Sequence, residues 1–78
     1  MKVYIIQSEL DDSNYVGMSK NESERLKAHN SGKVKSTKSK RPWRIIYVEE
    51  IGTLAQARKR EKYLKSAAGR RFRKTLGH

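Results

Sequence analysis

The stretch Lys2-Val-Tyr-Ile-Ile-Gln7 decides the fold, because it is rich in β-branched and aromatic residues and is apolar on both faces. Such a run is typical of a strand in the middle of a sheet, covered on both sides. Leu10-Asp-Asp-Ser-Asn14 is a cluster of turn-forming residues, and Asn14-Tyr-Val-Gly-Met18 is predicted to be a second, shorter strand. The two strands are therefore expected to form a hairpin.

The next part of the chain supplies a helix, a loop and a third strand. Asn21 or Ser23 can cap a helix that stops before Gly32. Residues 31–41 are polar and basic without helical or strand periodicity, which predicts a flexible loop. Residues 43–49 (Trp-Arg-Ile-Ile-Tyr-Val-Glu) are then predicted to be the third strand.

The last third of the chain is predicted to be helical. Thr53 caps a helix over about residues 54–67, and Gly69 is expected to end it. Residues 70–76 are predicted to be one more short, very basic helix. The element order β-β-α-β-α-α predicts an α+β fold, a three-stranded, mainly antiparallel sheet flanked by helices.

Length and composition narrow the function. A chain of 78 residues is expected to be one domain, 1–78, with a core over about residues 2–65 and a basic C-terminal helix over about 69–76. A domain this small hides only about 60% of its unfolded surface, so its chemistry is expected on an open face, without a small-molecule cofactor pocket. The absence of cysteine excludes a disulfide framework and a thiolate zinc site.

The charge points to a polyanionic partner. Nineteen Lys and Arg stand against eight Asp and Glu, a net charge of +11, and the excess lies in the last three quarters of the chain. Nucleic acid is favoured over a solubilising surface or an anionic membrane, because acidic residues are so few. Only four apolar residues, Val3 to Ile6, follow Met1-Lys2. Since that is too short for a signal peptide or a membrane span, a cytoplasmic location is expected.

Glu61 departs from the amphipathic pattern of its predicted helix. Apolar residues within about 80° of one another form a stripe along that helix: Leu54, Ala57, Leu64 and Ala68. Glu61 lies in the middle of the stripe, and a carboxylate facing the core is costly unless it is paired or binds a cation. It is therefore either an ion-pair partner for another element or a ligand for a hard divalent ion.

Four other polar or aromatic residues allow both a structural and a functional interpretation. Arg25 and His29 share one face of the first helix, four residues apart. They can be an incidental solvated pair, or a guanidinium for phosphate oxygens beside an imidazole that moves a proton. Tyr4 and Tyr15 should be neighbours in the hairpin and can simply be packing residues. Gly17, two residues after Tyr15, indicates a close approach of backbone or ligand.

Two basic segments are candidates for contact with the nucleic-acid backbone. One is the predicted loop beside Trp43, a residue more typical of the core or of a lid over it than of base stacking. The other is the basic C-terminal segment. The candidate contacts are Lys33, Lys35, Lys38, Lys40 and Arg41 in the loop and Arg70, Arg71 and Arg73 near the C-terminus.

Taken in order, these residues resemble the GIY-YIG nuclease family. A strand ending in Val3-Tyr4 is followed about ten residues on by Tyr15-Val16-Gly17, then by Arg25-x-x-x-His29-Asn30 and by Glu61 on a later helix. The resemblance runs from about Lys2 to Lys65 and is strongest to the small, stand-alone, YhbQ-like (UPF0213-type) members. The sequences of residues 25–32 and 41–50 are close to those typical of that subgroup.

The resemblance implies a metal-dependent endonuclease that hydrolyses phosphodiester bonds in DNA with one divalent cation, Mg²⁺ or Mn²⁺. Glu61 would hold the metal, and Tyr4 would be the general base or its relay. Tyr15 would help to place water or phosphate, and Arg25 would stabilise charge on the phosphate. One metal and one arginine can supply that stabilisation electrostatically.

Two further positions match the family, and several depart from it, among them the conservative valines Val3 and Val16 in place of isoleucine. His29 occupies a position where some members carry histidine and others tyrosine, so the base stays open between Tyr4 and His29. Lys20 matches a basic position in some members. Lys2 stands where the first motif has glycine, and no asparagine follows Glu61, where larger members often place one. The alternative functions are a non-catalytic nucleic-acid-binding module on the same fold and, third, a basic structural or accessory protein.

Overall fold

The computed structural model describes residues 1–76 and has the α+β architecture predicted from the sequence. Its elements are β1 (Lys2–Ser8), β2 (Asn14–Ser19), α1 (Glu22–Ser31), β3 (Trp43–Glu50), α2 (Leu54–Lys65) and α3 (Ala67–Lys74). The sheet has the order β2-β1-β3, and both pairings are antiparallel. No helix within residues 1–76 is both long enough and apolar enough to span a bilayer.

Strand β1 is central and buried on both faces, as its apolar sequence predicts. Val3 and Ile5 point to one face and pack with α2 residues, while Tyr4 and Ile6 point to the other and pack with Leu26 of α1. Helices α2 and α3 therefore cover one face of the sheet, and α1 covers the opposite face. The buried residues of the two layers are Val3, Ile5, Val16, Ala57 and Leu64 in one and Tyr4, Ile6 and Trp43 in the other.

Helix α1 has a cap at each end. Asn21, rather than Ser23, is the N-cap, and its side-chain oxygen accepts a hydrogen bond from the Glu24 amide at 3.2 Å. Gly32 follows the helix with a φ of 85°, a left-handed conformation that glycine adopts without steric cost. Both boundaries keep the ten-residue helix in a fixed position over the sheet.

The predicted boundary between the last two helices is wrong. Ser66 ends α2 and also caps α3, since its hydroxyl accepts a hydrogen bond from the Gly69 amide. Gly69 lies inside α3 and is buried. A Cβ placed there would overlap the Tyr63 carbonyl oxygen and the Leu64 backbone. Glycine is therefore present because α3 approaches α2 closely, and not because a helix ends there.

The basic segment before β3, predicted to be a flexible loop, is held in place by hydrogen bonds and by a buried side chain. It contains a short 3₁₀ helix (Lys38–Lys40), and Thr37 is buried within it. The indole of Trp43 donates to the Thr37 carbonyl at 2.8 Å. Asn30 of α1 accepts from the Trp43 amide at 2.6 Å and donates to its carbonyl at 2.9 Å. Trp43 thus belongs to the core, where its hydrogen bonds hold the segment against α1.

Candidate active site

Three aromatic side chains meet on the face of the sheet that α1 covers. Tyr4 of β1 is 1% exposed, and its hydroxyl oxygen lies 2.9 Å from Nε2 of His29. His29 comes from the last turn of α1 and is fully buried. The ring of Tyr15 on β2 packs edge-on against the imidazole, with 4.9 Å between ring centroids. The sequence placed these residues in one hairpin and one helix, and the fold brings them into contact.

Gly17 makes room for the Tyr4 phenol. It is the register partner of Tyr4 across the β1–β2 ladder. A Cβ at this position would lie 2.5 Å from the Tyr4 hydroxyl oxygen and 2.6 Å from Cζ. The close approach expected at Gly17 is therefore that of the Tyr4 ring, which crosses the backbone of the edge strand.

We expect Gly17→Ala to lower the free energy of unfolding by about 1–3 kcal/mol, because the added methyl overlaps a ring that is itself buried. Chemical denaturation measures this loss. Gly52→Ala is the matched control, since a Cβ there meets only the end of the Gln56 side chain at 3.1 Å. Equal unfolding free energies for the two variants would show that the Tyr4 ring does not need the space over Gly17.

Arg25 connects the buried cluster to the surface. Arg25 is exposed, and it lowers the pKa of the Tyr4 phenol through hydrogen bonding and through its positive charge. It also lines an open hollow of about 340 Å³ at the start of α1, together with Lys20. The full lining is Ser19, Lys20, Asn21, Glu24, Arg25 and Ala28. A phosphate group entering this hollow would meet a guanidinium whose charge also acts on the Tyr4 phenol.

Glu61, the metal ligand expected from the sequence, lies on α2. Its carboxylate acts electrostatically on the Tyr4 phenol, although α2 packs on the other face of the sheet. Its side chain is 24% exposed, and its ion pair is a loose one of 3.7 Å with Lys65, one turn along the same helix. Of the predicted apolar stripe, Ala57 and Leu64 are buried, whereas Leu54 and Ala68 are exposed. The stripe is therefore narrower than predicted, and Glu61 lies between its two buried members.

Burial sets the protonation states of the central pair. It raises the pKa of Tyr4, with Tyr15 and Glu61 acting in the same direction and Arg25 against it. Burial also lowers the pKa of His29, and the positive charge of Arg25 lowers it further. At neutral pH the phenol is therefore protonated and the imidazole is neutral, so that its nitrogen lone pair is available.

Glu61 offers a single carboxylate, which suits an ion such as Mg²⁺ better than a metal held entirely by protein ligands. Residues 1–76 contain no group of three or more His, Cys, Asp or Glu side chains that could hold a metal ion. Mg²⁺ commonly binds through one or two carboxylates, with waters and substrate phosphates completing its shell. Glu61, partly exposed and weakly paired, can supply such a ligand.

Thr37 belongs to the site, although the sequence analysis missed it. Its hydroxyl oxygen lies 2.8 Å from Nδ1 of His29, on the side of the ring opposite Tyr4. It is 1% exposed. In the sequence it stands within a polar run of Ser, Thr and Lys residues, where nothing marks one hydroxyl as buried.

The candidate nucleic-acid contacts differ in their freedom to bind a ligand. Lys40 pairs with Asp11 at 3.2 Å, and the Arg41 Nε donates to the Lys38 carbonyl at 2.8 Å. Arg73 is half-buried, and its Nε lacks a hydrogen-bond partner within the described part of the chain. The side chains exposed to solvent are those of Lys20, Lys33, Lys35, Lys38, Lys40, Arg41, Arg70 and Arg71.

Comparison with known proteins supplies a family context for this geometry. A family model described as the GIY-YIG catalytic domain matches residues 1–75. A UPF0213 protein of Syntrophus aciditrophicus is 40% identical over 65 residues, covering 81% of this chain and 74% of that protein. UPF0213 proteins of Clostridium perfringens and Staphylococcus haemolyticus are 38% and 37% identical, covering 81% and 82% of this chain and 68% and 78% of their own. No solved structure matches the chain significantly.

Proposed function

This chain belongs to the GIY-YIG nuclease family, and from that premise we propose that it is an endonuclease that hydrolyses phosphodiester bonds in DNA with the help of a divalent cation. One observation carries the proposal. The Tyr4 phenol lies 2.9 Å from Nε2 of His29, and Arg25 and Glu61 both act on its pKa, Arg25 lowering it and Glu61 raising it. A binding module would not need a buried phenol bonded to a buried imidazole, with an arginine and a carboxylate whose charges act on that phenol.

The surface next to this cluster can hold the scissile phosphate. Arg25 and Lys20 line the hollow at the start of α1, and a guanidinium donates in a fork that matches two phosphate oxygens. Glu61 would hold Mg²⁺ or Mn²⁺, which when bound neutralises charge on the phosphate and on the leaving oxygen. The net charge of +11 favours binding of a polyanion before any reaction takes place.

The protonation states favour His29 as the final proton acceptor and Tyr4 as the relay. A phenol whose pKa is raised by burial is a poor source of phenolate. The neutral imidazole beside it can accept a proton at Nε2, 2.9 Å from the phenol oxygen. As water attacks phosphorus, its proton passes to the Tyr4 oxygen, and the Tyr4 proton passes to His29. The new P–O bond then forms while the bond to the leaving oxygen breaks, without a free phenolate.

Supercoiled plasmid, branched DNA and single strands, each incubated at low salt, test the proposal. We expect nicking or cutting with Mg²⁺ or Mn²⁺, and its arrest by a chelator, since the carboxylate site needs the cation. DNA binding that weakens with salt, with no cutting under any divalent ion, would instead assign the fold to a binding module. No affinity for DNA or RNA at low salt would exclude both functions.

A further inference from the structure

A buried chain of hydrogen bonds continues from Tyr4 through His29 to the segment between α1 and β3. The hydroxyl oxygen of Thr37 lies 2.8 Å from Nδ1 of His29 and 3.3 Å from the carbonyl oxygen of Val34. The other ring nitrogen, Nε2, lies 2.9 Å from the Tyr4 hydroxyl. Tyr4, His29 and Thr37 are each at most 1% exposed, so bulk water does not compete for these bonds.

The Val34 carbonyl indicates which atoms donate and which accept along this series of hydrogen bonds. The Val34 carbonyl oxygen can only accept, so the 3.3 Å hydrogen bond that joins it to the Thr37 hydroxyl uses the single hydroxyl proton of Thr37. With that proton directed to Val34, the Thr37 oxygen presents a lone pair to Nδ1 of His29 at 2.8 Å, an arrangement in which Nδ1 carries the ring proton. A neutral imidazole has one N–H, which leaves Nε2 bare and facing the Tyr4 hydroxyl.

We propose that Thr37 is a positioning residue that holds His29 in its Nδ1–H tautomer, so that Nε2 can take the proton of Tyr4. Use of this tautomer in catalysis rests on the proposed function. The tautomer itself rests only on the contacts described above. The opposite tautomer would turn the Thr37 proton towards Nδ1 and remove the hydrogen bond that the Val34 carbonyl accepts from that hydroxyl.

Thr37 is itself held in place by the core. Its carbonyl oxygen accepts a hydrogen bond from the Trp43 indole, and Trp43 is in turn bound by Asn30, the neighbour of His29 on α1. The backbone of Thr37 is therefore anchored beside α1, which places its side chain next to His29. Lys35 and Lys38, close to Thr37 in the chain, are exposed, so the same segment carries basic groups outward and the positioning hydroxyl inward.

Nitrogen-15 NMR of histidine-labelled protein tests the proposal without any need for activity. The chain has two histidines, and His78 serves as the second, internal signal. Long-range ¹H–¹⁵N correlations at a pH where His29 is neutral should show a protonated Nδ1 and a bare Nε2. In Thr37→Val, which keeps the shape and removes the hydroxyl, we expect the proton to move to Nε2. Thr37→Ser should restore the wild-type pattern.

The cleavage rate gives a second readout. At saturating DNA, Thr37→Val should cut at least about tenfold more slowly with little change in KM, and Thr37→Ser should recover most of the rate, since a misplaced tautomer impairs proton transfer. An Nε2–H signal for His29 in the wild type, or an unchanged tautomer in Thr37→Val, would overturn the inference. Cutting by Thr37→Val at the wild-type rate would also overturn it. A wild type that shows the Nδ1–H tautomer but never cuts would contradict the proposed function alone.

Discussion

Glu61→Gln is expected to reduce metal-dependent DNA cleavage by at least about 100-fold while leaving DNA binding intact, because the amide keeps the shape of the side chain and loses the charge that attracts the cation. Folding should be little affected. The carboxylate is partly exposed, and its loose i,i+4 pair with Lys65 is worth only about 0.3–0.5 kcal/mol. Single-turnover cleavage and filter binding, measured on the same preparations, separate the two effects.

Glu9→Gln is the matched control for this variant. Glu9 is an exposed carboxylate just after β1, so its replacement changes the net charge by the same amount away from the cluster. The control should cut and bind like the parent. Cleavage by Glu61→Gln at the parental rate, in metal-replete buffer, would mean that Glu61 holds no catalytic ion.

Tyr4→Phe is expected to slow cleavage by about 100-fold or more, the usual scale for losing a group that transfers a proton in the transition state. The ring stays in place over Gly17, but Nε2 of His29 loses its hydrogen-bond partner inside the protein. We therefore also expect a loss of about 1–3 kcal/mol in unfolding free energy. The rate should be measured with saturating DNA and cation, below the unfolding temperature of the variant.

Tyr63→Phe is the control for this loss of a phenol, because Tyr63 is exposed on α2. It should keep both the rate and the stability of the parent. A Tyr4→Phe variant that cuts as fast as Tyr63→Phe would remove Tyr4 from the proton path. His29 would then have to take the proton from water directly.

Most of the fold follows from local sequence signals. The apolar run of β1 predicts a strand buried on both faces, and Thr53 with Gln56 forms the capping box that starts α2. The prediction that a helix ends at Gly69 is wrong for a physical reason. A helix end and a close helix crossing both favour a residue without Cβ, and the sequence alone does not distinguish them.

Part of the candidate site follows from the chemistry and spacing of its residues. Tyr4 and Tyr15 on neighbouring strands, with His29 four residues after Arg25, come together as the family resemblance implies. Thr37 could not be predicted, since its burial depends on hydrogen bonds from Trp43 that no local pattern reveals. The sequence also left the base open between Tyr4 and His29, and the proposal of His29 as the final proton acceptor draws on the pKa shifts that burial causes.

Paramagnetic relaxation enhancement by Mn²⁺ tests most directly whether a cation held by Glu61 lies beside the Tyr4 phenol. Mn²⁺ is added in substoichiometric amounts to isotope-labelled protein bound to a short DNA duplex, and line broadening is recorded residue by residue. We expect the signals of Glu61, Tyr4 and Gly17 to broaden first, and this pattern to vanish in Glu61→Gln. Sharp Tyr4 and Gly17 signals beside broadening elsewhere, or an identical pattern in Glu61→Gln, would contradict a cation held by Glu61 next to Tyr4.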